Sequence, residues 1–411
     1  MGEGLKISLQ NIAVYYEETL MHKTQAIIDE LFRPLDVKGV RLPNRIVMPP
    51  MVTNIAEQDG SINDRVREYY AARAKGGAGL IIVEATYISP EARRFVSNIG
   101  IHEDRLISGL RTLTDAVHEA GARIAIQIWH AGRRAQPPIP GLAAVAPSSI
   151  EGVDPWLPRE LTVDGIRKAV EDHARAVRRA RDAGFDLAEI HMAHGYLPNQ
   201  FLSSFSNLRR DDYGGSLENR LRFPLEIMSE IRREVGDDYP IIVRIPADEY
   251  MDGGLTLDES RIVSVRLQEA GAAVIHVTGG GPDSPTMGQC GLRKSPAKTP
   301  NAFLRHLAAE IKPAVTVPVI AVGRLDDPEL AAEVLANGEA DLIAIGRGLL
   351  TDPEWPHKVA EGRSAEIVVC TGCQGCLHYI YKQLGIQCKR NPMLGKEYMA
   401  VPMPGESGYR A

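Results

Sequence analysis

A chain of 411 residues, 44% hydrophobic and 24% charged, has ordinary globular composition, which excludes a disordered polymer. A net charge of −6 advertises no basic surface for nucleic acid, and 38 glycines and 27 prolines without a G-X-Y period exclude collagen. The length exceeds one domain of ~150 residues but suits an α/β barrel of about 250 with additions.

Residues 1–20, MGEGLKISLQNIAVYYEETL, hold acidic residues and no continuous apolar core, so they do not read as a secretory signal. Lys6 breaks the myristoylation pattern that Met1-Gly2 opens. The stretch Tyr16–Leu31 could form a helix. Apolar runs such as 78–83, 272–275 and 342–345 fall far short of the ~20 residues of a membrane span. No membrane association is expected, and a reducing cytoplasm is the default compartment.

From there the chain repeats one phrase of apolar strand, loop and helix. Strands are predicted at Arg45–Pro50, Gly79–Thr86, Ala122–Trp129, Leu187–His191, Pro240–Pro246, Ala273–Thr278, Val317–Gly323 and Asp341–Gly346. Amphipathic helices include Val163–Ala183, Leu217–Val235, Leu257–Ala270 and Pro328–Asn337. Thr162, Ser216 and Thr256 mark helix starts, and Gly121, Gly184, Gly236, Gly271 and Gly338 follow helix ends. Eight such units point to a (β/α)₈ barrel, with an open doubly wound sheet as the alternative.

A barrel places chemistry at the C-terminal ends of its strands. The polar residues interrupting the apolar runs fall there: Gln127, His191, Arg244, and the pairs Gly323-Arg324 and Gly346-Arg347. The two Gly-Arg pairs end the last two strands. Glycine lets backbone N–H groups approach an anion and arginine forks two donors onto phosphate oxygens, so a phosphorylated substrate or cofactor is implied. Two tight turns with surface arginines are the plainer reading. No GxGxxG follows any strand, which disfavours a dinucleotide fold. The fourth strand runs into His191-Met192-Ala193-His194-Gly195-Tyr196. A turn at Gly195 would let both imidazoles converge, either as metal ligands or as two N–H donors polarising one carbonyl oxygen. Tyr196 adds a phenol able to hand over a proton.

Four of the five cysteines lie within nineteen residues: Cys370, Cys373 and Cys376 at three-residue steps, and Cys388 after eleven more. Zinc sites favour well-separated CxxC pairs, whereas this spacing suits a [4Fe–4S] cluster. The fifth, Cys290, sits in a loop after the sixth strand.

These residues carry a resemblance. LPNRIVMPPM (42–51), GLIIVEATYISPEAR (79–93), IAIQIWHAGR (124–133), EIHMAHGYLPNQFLSSFSNLRRDDYGGSLENRLRF (189–223) and IIVRIPADEY (241–250) resemble the old yellow enzyme family, the FMN-dependent NADH:flavin oxidoreductases. The likeness implies FMN across the barrel mouth, with Pro50, Met51, Val52 and Ala85 walling the ring and Gln127 pairing with its pyrimidine edge. It places Arg244 near flavin N1 and the C2 carbonyl, and Gly323, Arg324, Gly346 and Arg347 around the phosphate. His191 and His194 would grip an electron-withdrawing carbonyl, Trp129 would shape the substrate site, and Tyr196 would protonate the α-carbon after hydride reaches the β-carbon. Val52 departs from the Thr or Cys of many relatives and has no donor for the flavin C4 carbonyl.

The segment from Cys370 to Gly395 resembles the iron-sulfur branch of 2,4-dienoyl-CoA reductase, 2-enoate reductase and trimethylamine dehydrogenase, where a dinucleotide-binding region follows. Here the sequence stops at Ala411. The expected organisation is therefore an N-terminal extension (1–30), an FMN barrel (31–365), a cluster segment (366–395) and a tail (396–411), with no C-terminal dinucleotide-binding region. The expected function is reduction of the activated C=C bond of an α,β-unsaturated carbonyl, acid or thioester, CoA thioesters included. NAD(P)H is a candidate electron donor, and the cluster suggests a partner flavoprotein or ferredoxin; a homo-oligomer is left open. The alternative is an amine dehydrogenase or N-demethylase exporting electrons through the cluster. Those relatives carry tyrosine in place of His191 and a flavin-linking cysteine near the first strand, and Met48–Val52 contains none.

Overall fold

The computed structural model describes residues 25–136, 143–150, 157–288 and 291–400. Eight parallel strands close into a barrel: β1 (Ile46–Met48), β2 (Leu80–Tyr87), β3 (Arg123–Trp129), β4 (Leu187–His191), β5 (Ile241–Asp248), β6 (Val274–Gly279), β7 (Val319–Val322) and β8 (Leu342–Ala344). Each strand pairs with the next in sequence, and Ile343 of β8 registers with Ile46 of β1. That last pairing closes the ring and rules out the open sheet. The expected strands are all present, with β1, β7 and β8 shorter than anticipated and β2, β5 and β6 running one or two residues further.

Between strands run α1 (Asp64–Lys75), α2 (Ile107–Glu119), α3 (Val163–Asp182), α4 (Leu217–Val235), α5 (Leu257–Glu269), α6 (Arg305–Ile311) and α7 (Pro328–Ala336), followed by α8 (Trp355–Ala360) and α9 (Gly375–Tyr381). The hydroxyls of Thr162, Ser216 and Thr256 cap α3, α4 and α5 by accepting third-residue N–H groups, and Thr256 with Glu259 completes a reciprocal capping box. Gly121, Gly184, Gly236, Gly271 and Gly338 all adopt positive φ just past a helix, as a helix stop requires. Most of the N-terminal extension, Cys290 and the end of the tail lie outside the described residues.

The barrel interior is layered. Ile82, Ala125, Leu187, Ile242, Val274, Ile320 and Leu342 form an apolar plug, closed below by Val37 and Leu42 of a short hairpin (Leu35–Val37 with Val40–Leu42). Strand side chains repeat every two residues on one face. One step along, the same faces present Glu84, Gln127, Glu189, Arg244 and His276, all buried. A second step brings His191 and Thr278. The change from apolar plug to polar layer marks where the core stops and the site begins.

Candidate active site

The polar layers open upward into a cleft of about 1370 Å³ including its mouth. Pro50, Met51, Val52 and Ala85 line one side and Gln127 and Arg244 the floor region, while His191, His194 and Tyr196 form a third wall. Gly323, Arg324, Gly346 and Arg347 line the end over β7 and β8. The structure thus brings together every cleft residue expected from the sequence except Trp129. That indole is fully buried and set back from the cleft, edge-on to Tyr196 with ring centroids 5.1 Å apart, so it supports the phenol from behind.

The turn after β4 explains how the imidazoles converge. Both His194 (φ 60°) and Gly195 (φ 66°) adopt the left-handed region, one residue more than glycine alone would supply. The turn is held by Asn199 Oδ1, which accepts the Gly195 N–H at 2.6 Å, and by Gln200 Nε2, which donates to the Gly195 carbonyl at 2.7 Å. His191 and His194 then stand edge to face, 5.1 Å between centroids, with Tyr196 4.9 Å from His191. His194 Nε2 lies 3.1 Å from Thr278 Oγ1, which sets the ring's orientation.

Burial holds both imidazoles well below the usual histidine range, reinforced for His191 by His194 and Arg244 and for His194 by Arg244 and His276. Both are neutral at pH 7, so each offers one N–H donor and neither competes as a cation. A metal bound by this pair would need a further ligand close by, and among the described residues no third His, Cys, Asp or Glu joins the two imidazoles in a metal-holding group. Convergent N–H donors toward an oxygen remain the chemistry these rings can perform.

At the opposite end, Gly323 (φ 122°) and Arg324 (φ 55°) form a turn that aims backbone into the cleft, and Arg324 Nη1 donates to the Thr299 carbonyl at 2.6 Å. A Cβ on Gly346 would lie 3.3 Å from Met51 Sδ, so a side chain there would crowd the cleft. These glycines and arginines fit a phosphate group, and the cleft beside Gln127 and Arg244 has room for a planar heterocycle.

Beyond α8 the chain folds back over this region. Cys370, Cys373, Cys376 and Cys388 line one smaller cavity beside Arg347, Lys389 and Arg390, and Cys370 and Cys376 also border the main cleft. The Gly375 N–H lowers the Cys373 thiol, burial raises that of Cys370, and the Arg390 N–H donates to Cys388 Sγ at 3.4 Å. The segment is tied to the loop after β1 by the Ile386 N–H donating to the Thr53 carbonyl (2.8 Å) and by Asn54 Nδ2 donating to that of Leu384 (3.3 Å).

Sequence reading passed over several buried groups. Glu189 accepts from Gln127 and shares a contact with His276, and Glu84 accepts from the backbone and hydroxyl of Thr53. Their signal was present, since Glu84, Glu189 and His276 each interrupt an apolar strand.

The profile of the NADH:flavin oxidoreductase / NADH oxidase family matches residues 30–366. The chain belongs to that family. The chain is 43% identical over 376 residues to an NADH oxidase of Thermoanaerobacter brockii, covering 89% of itself and 56% of that relative. It is 40% identical over 341 residues to an NADPH dehydrogenase of Geobacillus thermodenitrificans, covering 82% of itself and 95% of that relative. A solved complex of 2-naphthoyl-CoA reductase with 2-naphthoyl-CoA superposes with a TM-score of 0.86 at 31% identity, over 90% of this chain and 58% of the other. The chain therefore spans little more than half of some relatives and nearly the whole of others. FMN as cofactor follows from the family, and the cleft fits it. Among the described residues no helix is long and apolar enough to cross a membrane.

Proposed function

We propose that this flavin oxidoreductase is an ene-reductase acting on the activated C=C bond of an α,β-unsaturated carbonyl, acid or thioester. The observation that carries the reading is the convergence of two neutral imidazoles and one phenol at the cleft wall facing Gln127 and Arg244. When bound, FMN supplies the reversible two-electron carrier and hydride donor that this reaction needs. His191 and His194 would hold the substrate's carbonyl oxygen through their N–H groups, drawing electron density from the alkene. Tyr196 Oη would give a proton to the α-carbon. Gln127 and Arg244 would hold the flavin's pyrimidine side, with Pro50, Met51, Val52 and Ala85 against the ring and Gly323, Arg324, Gly346 and Arg347 around its phosphate. Trp129 would shape the substrate site indirectly, through Tyr196. Amine oxidation requires a wall that welcomes a cation, whereas this one presents neutral N–H donors beside a guanidinium.

Cys370, Cys373, Cys376 and Cys388 would hold a [4Fe–4S] cluster; four cysteines lining one cavity, with N–H groups directed at two of the sulfurs, support that assignment. On this reading residues 31–365 are the flavin barrel and 366–395 the cluster segment, between an N-terminal extension and a short tail. Electrons would come from NAD(P)H or from an acidic flavoprotein or ferredoxin. From Ile367 to Lys396 the sequence has no acidic residue and carries Lys382, Lys389, Arg390 and Lys396, while Tyr381 and Leu384 are exposed beside them. Anaerobic purification with flavin, iron and sulfide analysis tests the cofactor set. FMN and iron together are expected, with Cys388→Ala keeping the flavin and losing iron; a flavin-loaded chain that takes up no iron on reconstitution contradicts the cluster.

A further inference from the structure

We propose that Glu189 is a positioning residue that fixes which atom of Gln127 faces the flavin, an inference that rests on the FMN reading above. Glu189 Oε1 accepts from Gln127 Nε2 at 2.7 Å, and Oε2 lies 2.6 Å from His276 Nδ1. Gln127 and Glu189 are register partners on β3 and β4, and all three side chains are buried. Only Gln127 of the three lines the cleft, so Glu189 and His276 act through it.

The chemistry of the groups orients the chain of contacts. A carboxylate has acceptors and no donor, so an amide beside it must turn its NH₂ toward it. Gln127 is thereby left with its carbonyl oxygen for the cleft, where an acceptor matches the single N–H of the flavin's pyrimidine edge. A freely flipping glutamine would spend part of its time presenting NH₂ to that N–H and lose the bond. His276 holds the carboxylate from the other side. Burial and Arg244 lower its pKa despite Glu189, so it serves as a neutral donor from Nδ1. The carboxylate also places negative charge just behind Gln127, which would oppose the extra charge of a reduced flavin held there.

The test uses FMN binding to the apoprotein and the midpoint potential of the holoprotein. Glu189→Gln can donate back to Gln127, so FMN binding is expected to weaken about tenfold, one good hydrogen bond's worth. The oxidised form should lose about tenfold relative to the reduced form, which raises the two-electron potential by about 30 mV. In a Gln127→Leu background the same substitution should leave FMN affinity within about twofold, because Glu189 acts through Gln127. Glu189→Asp keeps the charge but withdraws it by one methylene; it should weaken binding and leave the potential unmoved. Parent-like FMN affinity in Glu189→Gln or in Glu189→Asp overturns the proposal, as do equal losses in both backgrounds. A parent apoprotein that binds no FMN overturns the flavin reading, and the proposal falls with it.

Discussion

Tyr196 and the histidine pair have separable duties, and single-atom changes distinguish them. Removing the Tyr196 hydroxyl leaves the ring against Trp129 and His191 intact. Tyr196→Phe should therefore retain FMN and substrate affinity while slowing alkene reduction by about 10²–10⁴-fold, the usual contribution of a general acid. Stopped-flow measurement of the two half-reactions checks this: flavin reduction by the donor should be unchanged, and reoxidation by alkene slow. Val52 is the second informative residue. Its side chain lines the cleft without a donor, so Val52→Thr should stabilise negative charge on the reduced ring and raise the flavin potential. An unchanged potential in a redox titration would count against that placement of the ring.

The elements of the barrel were legible because their physics is local. Doubly buried strands read as apolar runs, and hydroxyl caps and glycine stops delimit α3, α4 and α5 within a residue. What could not be read were contacts between strands distant in sequence. Glu189 and His276 are 87 residues apart, and only closure of the barrel shows that they meet. The paired left-handed turn at His194 and Gly195 was likewise half visible, since a histidine does not announce positive φ. Trp129, read as a substrate-shaping aromatic, packs edge-on behind Tyr196, a tertiary contact that strand periodicity does not show.

The C-terminal segment makes its own prediction at this scale. Arg73 of α1, fully buried, pairs with Glu397 at 2.5 Å, and Arg65 donates to the Gly395 carbonyl at 3.3 Å. Glu397→Ala strands a buried guanidinium and should cost about 3 kcal/mol. Denaturant unfolding measures the loss, and limited proteolysis should cut first within the cysteine segment. Stability equal to the parent would show that the tail does not anchor there.

For the whole molecule, the polar layers inside the barrel dictate a pH response. His130, His173, His191, His194 and His276 are buried with lowered pKa values, His173 to about 4, all through desolvation first. Below about pH 6.5 the unfolded chain binds protons that the native state refuses, so stability falls as pH falls, by up to about 1.4 kcal/mol per pH unit for each histidine. Glu84 works in the opposite sense. Burial raises it to about 7, so its contribution is present at low pH and is lost as pH rises through 7; Glu249 is raised by the same cause. Five histidines outweigh two carboxylates, and denaturation midpoints should drop steeply between pH 7 and pH 5. A midpoint that holds steady or rises over that range would mean these histidines are not buried neutral.

The central claim is that the cleft holds FMN and delivers hydride and proton to an activated alkene, and its most direct test is reoxidation. The chain, purified anaerobically and its flavin reduced, is mixed with a panel of enones, enoates and enoyl-CoA thioesters while the flavin spectrum is followed. The account predicts rapid reoxidation by at least one class, with saturated product formed and the rate collapsing in Tyr196→Phe. Reduced flavin that persists against every activated alkene would contradict it.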